Sequence, residues 1–139
     1  MSHARIVGAG LIGTSIALGL AKEGWSIEIA DSDPRSAALA QDLLQGALGK
    51  ELVDLVVVAT PPSEVMAVLE FEYALNPNAI FIDTASIKTN LLLEVEALPG
   101  LAERFVGSHP MAGREIGGAQ SAQGDLFRGR AWIFTPTSV

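Results

Sequence analysis

The chain has 139 residues, 49% of them apolar, which suits one domain with a buried core. Its formal net charge is −7, so nucleic acid and anionic membrane surfaces are disfavoured as partners. No apolar run reaches the roughly 18 residues of a membrane span, and the absence of cysteine excludes disulfides and thiolate metal sites.

The polar start, Met1 to Arg5, leads straight into a strand, so no signal peptide is read and a cytoplasmic protein is expected. His3 falls in this leader. Ala4 to Val7 reads as the first strand and Leu11 to Lys22 as the first helix, stopped by Gly24. Between them stands "GAGLIG", Gly8 to Gly13, a G-x-G-x-x-G pattern in its strand–turn–helix setting. Gly8 permits a tight turn, Gly10 lets a pyrophosphate approach the backbone, and Gly13 lets the helix pack close to the sheet. The free N–H groups of the first helical turn, at Leu11 and Ile12, and the helix dipole then face the phosphates.

Ser26 to Ala30 alternates with a strand period and ends at Asp31, near the roughly 20-residue spacing of a ribose-binding carboxylate. A carboxylate there accepts ribose hydroxyls and repels a 2′-phosphate, which favours NAD over NADP. Arg35 is the counter-argument, since a nearby Arg can accommodate that phosphate. Asp31 also has a capping alternative, but Asp33, directly before Pro34, is the better N-cap for a helix over Pro34 to Leu44.

Leu55 to Ala59, "LVVVA", is a continuous apolar run, as expected of a strand covered on both faces. Thr60 and Pro61 follow it at the edge where ligands bind in such sheets, and are read as cofactor-binding. A stiff turn and helix start explains the two prolines equally well. Pro62 to Leu75 is helical, Ala79 to Ile82 is the next strand, and Lys88 to Leu98 the next helix. "DTASIK", Asp83 to Lys88, lies between these last two. By chemistry alone, Thr84 and Ser86 read there as helix-capping residues.

Phe105 to Val106 begins another strand, followed by "GSHPMAGRE". Pro110 disfavours helical geometry at His109 and keeps it extended, at the carboxyl edge of the sheet. Imidazoles titrate near neutrality, so a histidine at a hydride-transfer edge is a natural general base. The glycine-rich stretch after it is expected to cover the site. Ala131 to Thr135 is the last strand. Strands alternating with helices over short connections predict an α/β, doubly wound, mainly parallel Rossmann-type sheet. No metal site is expected.

The segments "GLIGTSIALGL", "VVVATPP", "DTASIK" and "FVGSHPMAGREIGGAQSAQGDLFRGRAWIFTP" resemble the prephenate/arogenate dehydrogenases of tyrosine biosynthesis, from about Arg5 to Pro136. The resemblance implies an NAD-dependent oxidative decarboxylation of prephenate, or of arogenate, with His109 accepting the ring-hydroxyl proton and Ser86 bonding the same hydroxyl. Glu115 matches an acidic residue at the site entrance, and Ser108 is placed beside it on the substrate side. Lys88 matches the motif without an assigned role.

Residues 1–139 are therefore expected to form the dinucleotide-binding domain. The helical domain that supplies the family's substrate-binding arginine and most of its dimer interface is expected to lie outside them, since Arg114, Arg128 and Arg130 do not match that arginine. Two other readings stay open. One is a stand-alone, non-catalytic NAD-binding module. The other is a β-hydroxyacid dehydrogenase on the same fold, against which His-Pro-Met-Ala-Gly argues.

Overall fold

The computed structural model describes residues 2–44, 52–86, 88–111 and 122–137. Six strands form one sheet: β1 His3–Val7, β2 Ser26–Ala30, β3 Leu55–Val58, β4 Ile80–Asp83, β5 Phe105–Pro110 and β6 Trp132–Pro136. The helices are α1 Leu11–Lys22, α2 Pro34–Leu44, α3 Val65–Leu75, α4 Thr89–Glu96 and the short α5 Pro99–Ala102. A 3-10 turn, Pro62–Glu64, leads into α3, so the segment expected as one helix opens with a tighter turn.

The spatial order is β2-β1-β3-β4-β5-β6. Pairings from β2 to β5 are parallel, while β6 runs antiparallel to β5, with His109 opposite Ile133. Because the first five strands are parallel, their carboxyl ends share one edge. The chain leaves β1 toward β2 on one side and returns to β3 on the other. That reversal opens a crevice between the loops after β1 and β3.

Successive strand residues face opposite sides of the sheet, and the two sides are buried separately. Val56, Val58, Phe81 and Phe105 pack with Leu69 of α3, Leu91 and Val95 of α4 and Leu101 of α5. Ala4, Ile6, Ile27, Ile29 and Val57 pack on the other side with Ile16 and Ala17 of α1 and Ala40 of α2. Val56, Val57 and Val58 are all fully buried, as an apolar run covered on both faces requires.

His3 does not sit in a leader. It opens β1 and is 1% exposed. Its Nδ1 lies 2.9 Å from Ser26 Oγ on β2, and its backbone N–H donates to Asp54 Oδ2 at 2.9 Å. Pairing of His3 with Ser26 extends the strand one residue further than the apolar pattern predicts. A buried imidazole needs a polar partner, and β2 supplies one.

Candidate functional site

The glycine turn is built by close approach of backbone to backbone. Gly8 has φ +112°, a conformation that side-chain-bearing residues rarely adopt. A Cβ there would overlap the Ala59 carbonyl of the loop after β3, and a Cβ on Gly13 would overlap the Gly8 carbonyl. Gly8 and Gly13 are therefore glycines for packing reasons. Gly10 differs, because a Cβ built on it meets nothing within 4 Å. Gly10 is also the N-cap of α1, with no side-chain cap bond, and the first turn of α1 carries no acidic residue. The N–H groups of Leu11, Ile12 and Gly13 have no intrahelical acceptor by helix geometry. Open space in front of a helix N-terminus suits a phosphate.

A cavity of about 730 Å³ opens at this turn, lined by Gly8, Gly10, Asp31, Thr60 and Pro61, and also by Arg5, Phe71 and Glu72. The first five are sequence-predicted cofactor residues that the fold brings to one cavity, whereas Leu11, Ile12 and Gly13 of the same predicted set do not line it. The Asp31 carboxylate stands at the end of β2. Its Oδ2 accepts the Ala9 N–H at 2.7 Å and its Oδ1 the Asp33 N–H at 2.8 Å. Each carboxylate oxygen retains lone-pair capacity for a further donor such as a ribose hydroxyl. Asp31 thus fixes the glycine turn and faces the cavity at once. Capping of α2 falls to Asp33, whose Oδ1 accepts the Arg35 N–H at 3.0 Å and whose Oδ2 accepts the Ser36 hydroxyl at 3.0 Å. Thr60 Oγ1 is buried with no protein partner and lines the same cavity. A buried hydroxyl left unbonded by protein is a fit for a ligand that bonds it.

The second part of the site lies two strands away, on the same sheet edge. Asp83, the last residue of β4, is fully buried. Its Oδ2 accepts the Ala85 N–H at 3.2 Å and an ion-paired hydrogen bond from Lys88 Nζ, and its Oδ1 accepts the Ser108 N–H at 3.0 Å. The Lys88 chain passes over Gly107, where an added Cβ would come 3.4 Å from Lys88 Cδ. Burial lowers the Lys88 ammonium below its ordinary pKa, and the hydrogen bond and charge of Asp83 oppose that shift. His109 is half-buried and shares the face of β5 with Gly107, so Lys88 and His109 lie on one side of the sheet.

Ser86 is exposed in the β4–α4 loop. It does not cap α4, whose N-cap is Lys88 with no side-chain cap bond. Ser108 departs from its expected place on the substrate side. It is fully buried, and its hydroxyl donates to the Asp83 carbonyl, so it ties β5 to β4 instead of facing an entrance. The glycine-rich stretch over 112–121, with Arg114 and Glu115, lies outside the described residues. Arg128 and Arg130 are exposed in the turn before β6. Past that stretch, the Gln123 N–H donates to the buried Ser15 Oγ of α1 at 3.0 Å. Among the described residues no group of three His, Asp or Glu could hold a metal, and no helix is long and apolar enough to cross a membrane.

The sequence reading missed Asp83, Arg5 and Glu72. The available signal was a charge inside an apolar element: Arg5 in β1, Asp83 closing "IFID", and Glu72 within α3.

A family model described as the prephenate dehydrogenase nucleotide-binding domain matches residues 8–139. The chain belongs to this family. It is 37% identical over 138 residues to the probable prephenate dehydrogenase NovF of Streptomyces niveus, covering 98% of the chain and 38% of that protein. It superposes with TM-score 0.85 and 30% identity on the prephenate dehydrogenase of A. aeolicus solved with hydroxyphenyl propionate and NAD+, covering 99% of the chain and 51% of that one. The Synechocystis arogenate dehydrogenase gives TM-score 0.82 at 28% identity, over 98% of the chain and 50% of that one. The chain thus spans about two fifths of the length of the Streptomyces relative and half that of these two structures. In this nucleotide-binding domain, Gly8 and Gly10 of the glycine turn, Asp31 and Thr60 line one cavity.

Proposed function

We propose that this chain is the NAD-binding domain of a dehydrogenase that oxidatively decarboxylates prephenate or arogenate on the route to tyrosine. The observation that carries the reading is the cavity of about 730 Å³ at the β1/β3 crevice, lined together by the open Gly10 turn, the Asp31 carboxylate and the Thr60 hydroxyl that no protein group bonds. The substrate class comes from the relatives, which include prephenate and arogenate dehydrogenases.

When bound, NAD supplies the hydride acceptor. This chain's residues do the rest of the local work. The first turn of α1 receives the pyrophosphate, Asp31 receives the ribose hydroxyls, and Thr60 Oγ1 offers a hydrogen bond from the loop after β3. At the neighbouring strand ends, Ser86 bonds the ring hydroxyl of the substrate and His109 takes its proton as the hydride leaves the same carbon. Loss of the ring carboxylate as CO2 then leaves its bonding pair in the ring, which becomes aromatic. The substrate's carboxylates are met by groups outside the described residues or outside this chain, and Glu115 is assigned to the entrance.

The reading is tested by calorimetry of this chain with NAD and NADP, and by NAD reduction with CO2 release when the longer protein carrying this domain is given prephenate or arogenate. NAD should bind more tightly than NADP, because Asp31 repels a 2′-phosphate. Equal or tighter NADP binding overturns the cofactor assignment. NAD reduction with neither substrate overturns the reaction.

A further inference from the structure

We propose that Asp83 is a positioning residue that sets Ser86, Lys88 and His109 relative to one another through a single buried carboxylate; this rests on the dehydrogenase reading above. The carboxylate is fully buried and accepts three hydrogen bonds from two elements. One comes from Ala85 N–H, the residue before Ser86, at 3.2 Å. One comes from Ser108 N–H, the residue before His109, at 3.0 Å. The third comes from Lys88 Nζ, whose chain crosses Gly107 two residues before His109. A fourth link runs the other way, from the Ser108 hydroxyl to the Asp83 carbonyl.

Ladder pairing cannot do this work alone. The parallel register of β4 with β5 covers Phe81 with Phe105 and Ile82 with Val106 only. Beyond it, the two loop starts are held together by the Asp83 side chain and the Ser108 hydroxyl. Both sites proposed to touch the substrate hydroxyl hang one residue past that clamp. A buried carboxylate tolerates no loss of its donors, so the three groups it holds are fixed as a unit. Asp83 itself touches no substrate.

The test is Asp83→Asn, which keeps the shape but replaces one acceptor oxygen with an NH2 and removes the charge that Lys88 pairs with. In the full-length enzyme carrying this domain, kcat should fall on the order of 100-fold, the cost of about 1 Å of misplacement. NAD affinity should stay within about twofold, because the phosphate turn is two strands away; a turnover loss confined to kcat is what a positioning role predicts. In amide NMR spectra of this chain, the Ser86 and His109 signals should both move, while those of Gly10 and Asp31 stay in place.

Wild-type kcat per folded molecule in the variant, or unmoved Ser86 and His109 signals, overturns the proposal. If Asp83→Asn does not fold, Ser108→Ala and Lys88→Gln take its place. Loss of kcat with NAD affinity kept supports the clamp, and wild-type kcat in both overturns it. If the wild-type enzyme oxidises neither prephenate nor arogenate, the dehydrogenase reading fails on its own, and the amide signals alone decide whether the clamp exists.

Discussion

Arg5 Nε donates to Glu72 Oε2 at 2.8 Å, joining β1 to α3 across 67 residues of sequence in the lining of the cavity at the β1/β3 crevice. The second arm of the guanidinium, Nη1, donates to Glu28 Oε1 at 2.8 Å on β2. The hydrogen bond to Glu72 and the two carboxylate charges raise the Arg5 pKa against the opposing effect of burial. Glu72 is only 2% exposed, whereas Glu28 is 39% exposed. The buried partner therefore carries the stabilisation, since exposed pairs contribute little.

Glu72→Ala is expected to destabilise the domain by about 3 kcal/mol, the low end for breaking a buried pair, because Arg5 keeps Glu28. Melting temperature should drop by roughly 10 °C for a domain of this size. Glu72→Gln, which keeps an acceptor, should lose less. Circular-dichroism melts of both variants check this. An unchanged melt for Glu72→Ala would show that the ion pair contributes no net stability.

The glycine turn separates packing from binding. Gly10→Val puts a side chain into open space, at a backbone conformation (φ −81°) any residue adopts. The melt should stay near wild type, while NAD binding disappears from calorimetry. Gly13→Ala drives a methyl group into the Gly8 carbonyl and against Ala59, so it should cost the fold several kcal/mol whether or not cofactor is present. Normal NAD binding by Gly10→Val would mean that the phosphates lie elsewhere.

Much of this architecture is legible in the chain because local rules and burial agree. α1, β2 and α2 begin and end where periodicity, Gly24 and the Asp33–Pro34 cap place them. The apolar run of β3 is buried on both faces because it sits mid-sheet. What escaped reading depends on partners distant in sequence. His3 looks like polar leader until Ser26 on β2 is known to meet it. The antiparallel pairing of β6 with β5 is a contact distant in sequence that the alternation of strands and helices does not reveal. Ser108 is expected on the substrate side and Asp83 carries no assigned role in the sequence. Their roles arise only when β4 and β5 lie side by side.

Lys88 gives a pH signature. Burial holds its ammonium below the ordinary 10.5, more strongly than Asp83 raises it. A lysine whose folded pKa is depressed costs stability at every pH below that folded value, because the fold must carry it charged. Between the folded value and 10.5 the unfolded chain binds more protons than the folded one, so unfolding free energy rises with pH across that window. Lys88→Met removes this contribution. Urea denaturation of both proteins at a series of alkaline pH values should show the wild type gaining on the variant as pH climbs toward 10.5. Parallel curves over that range would remove the titration of Lys88 from the stability of the domain.

His109 carries the sharpest prediction. It is the penultimate residue of β5, at the same sheet edge as the cavity, half-buried, with Pro110 holding it extended and the Asp83–Ser108 hydrogen bond one residue before it. In the full-length enzyme, His109→Asn should keep the side-chain shape and lose the proton acceptor. Turnover should fall by roughly 10²–10⁴, the range for a lost general base. NAD affinity should hardly change, because none of the groups proposed to meet the phosphates or ribose belongs to β5. A purely structural histidine predicts the reverse pattern. Melting temperature would fall while turnover per folded molecule stayed as in the wild type. Measuring melt, NAD affinity and turnover on one preparation separates the two, and the second pattern would take His109 out of the reaction.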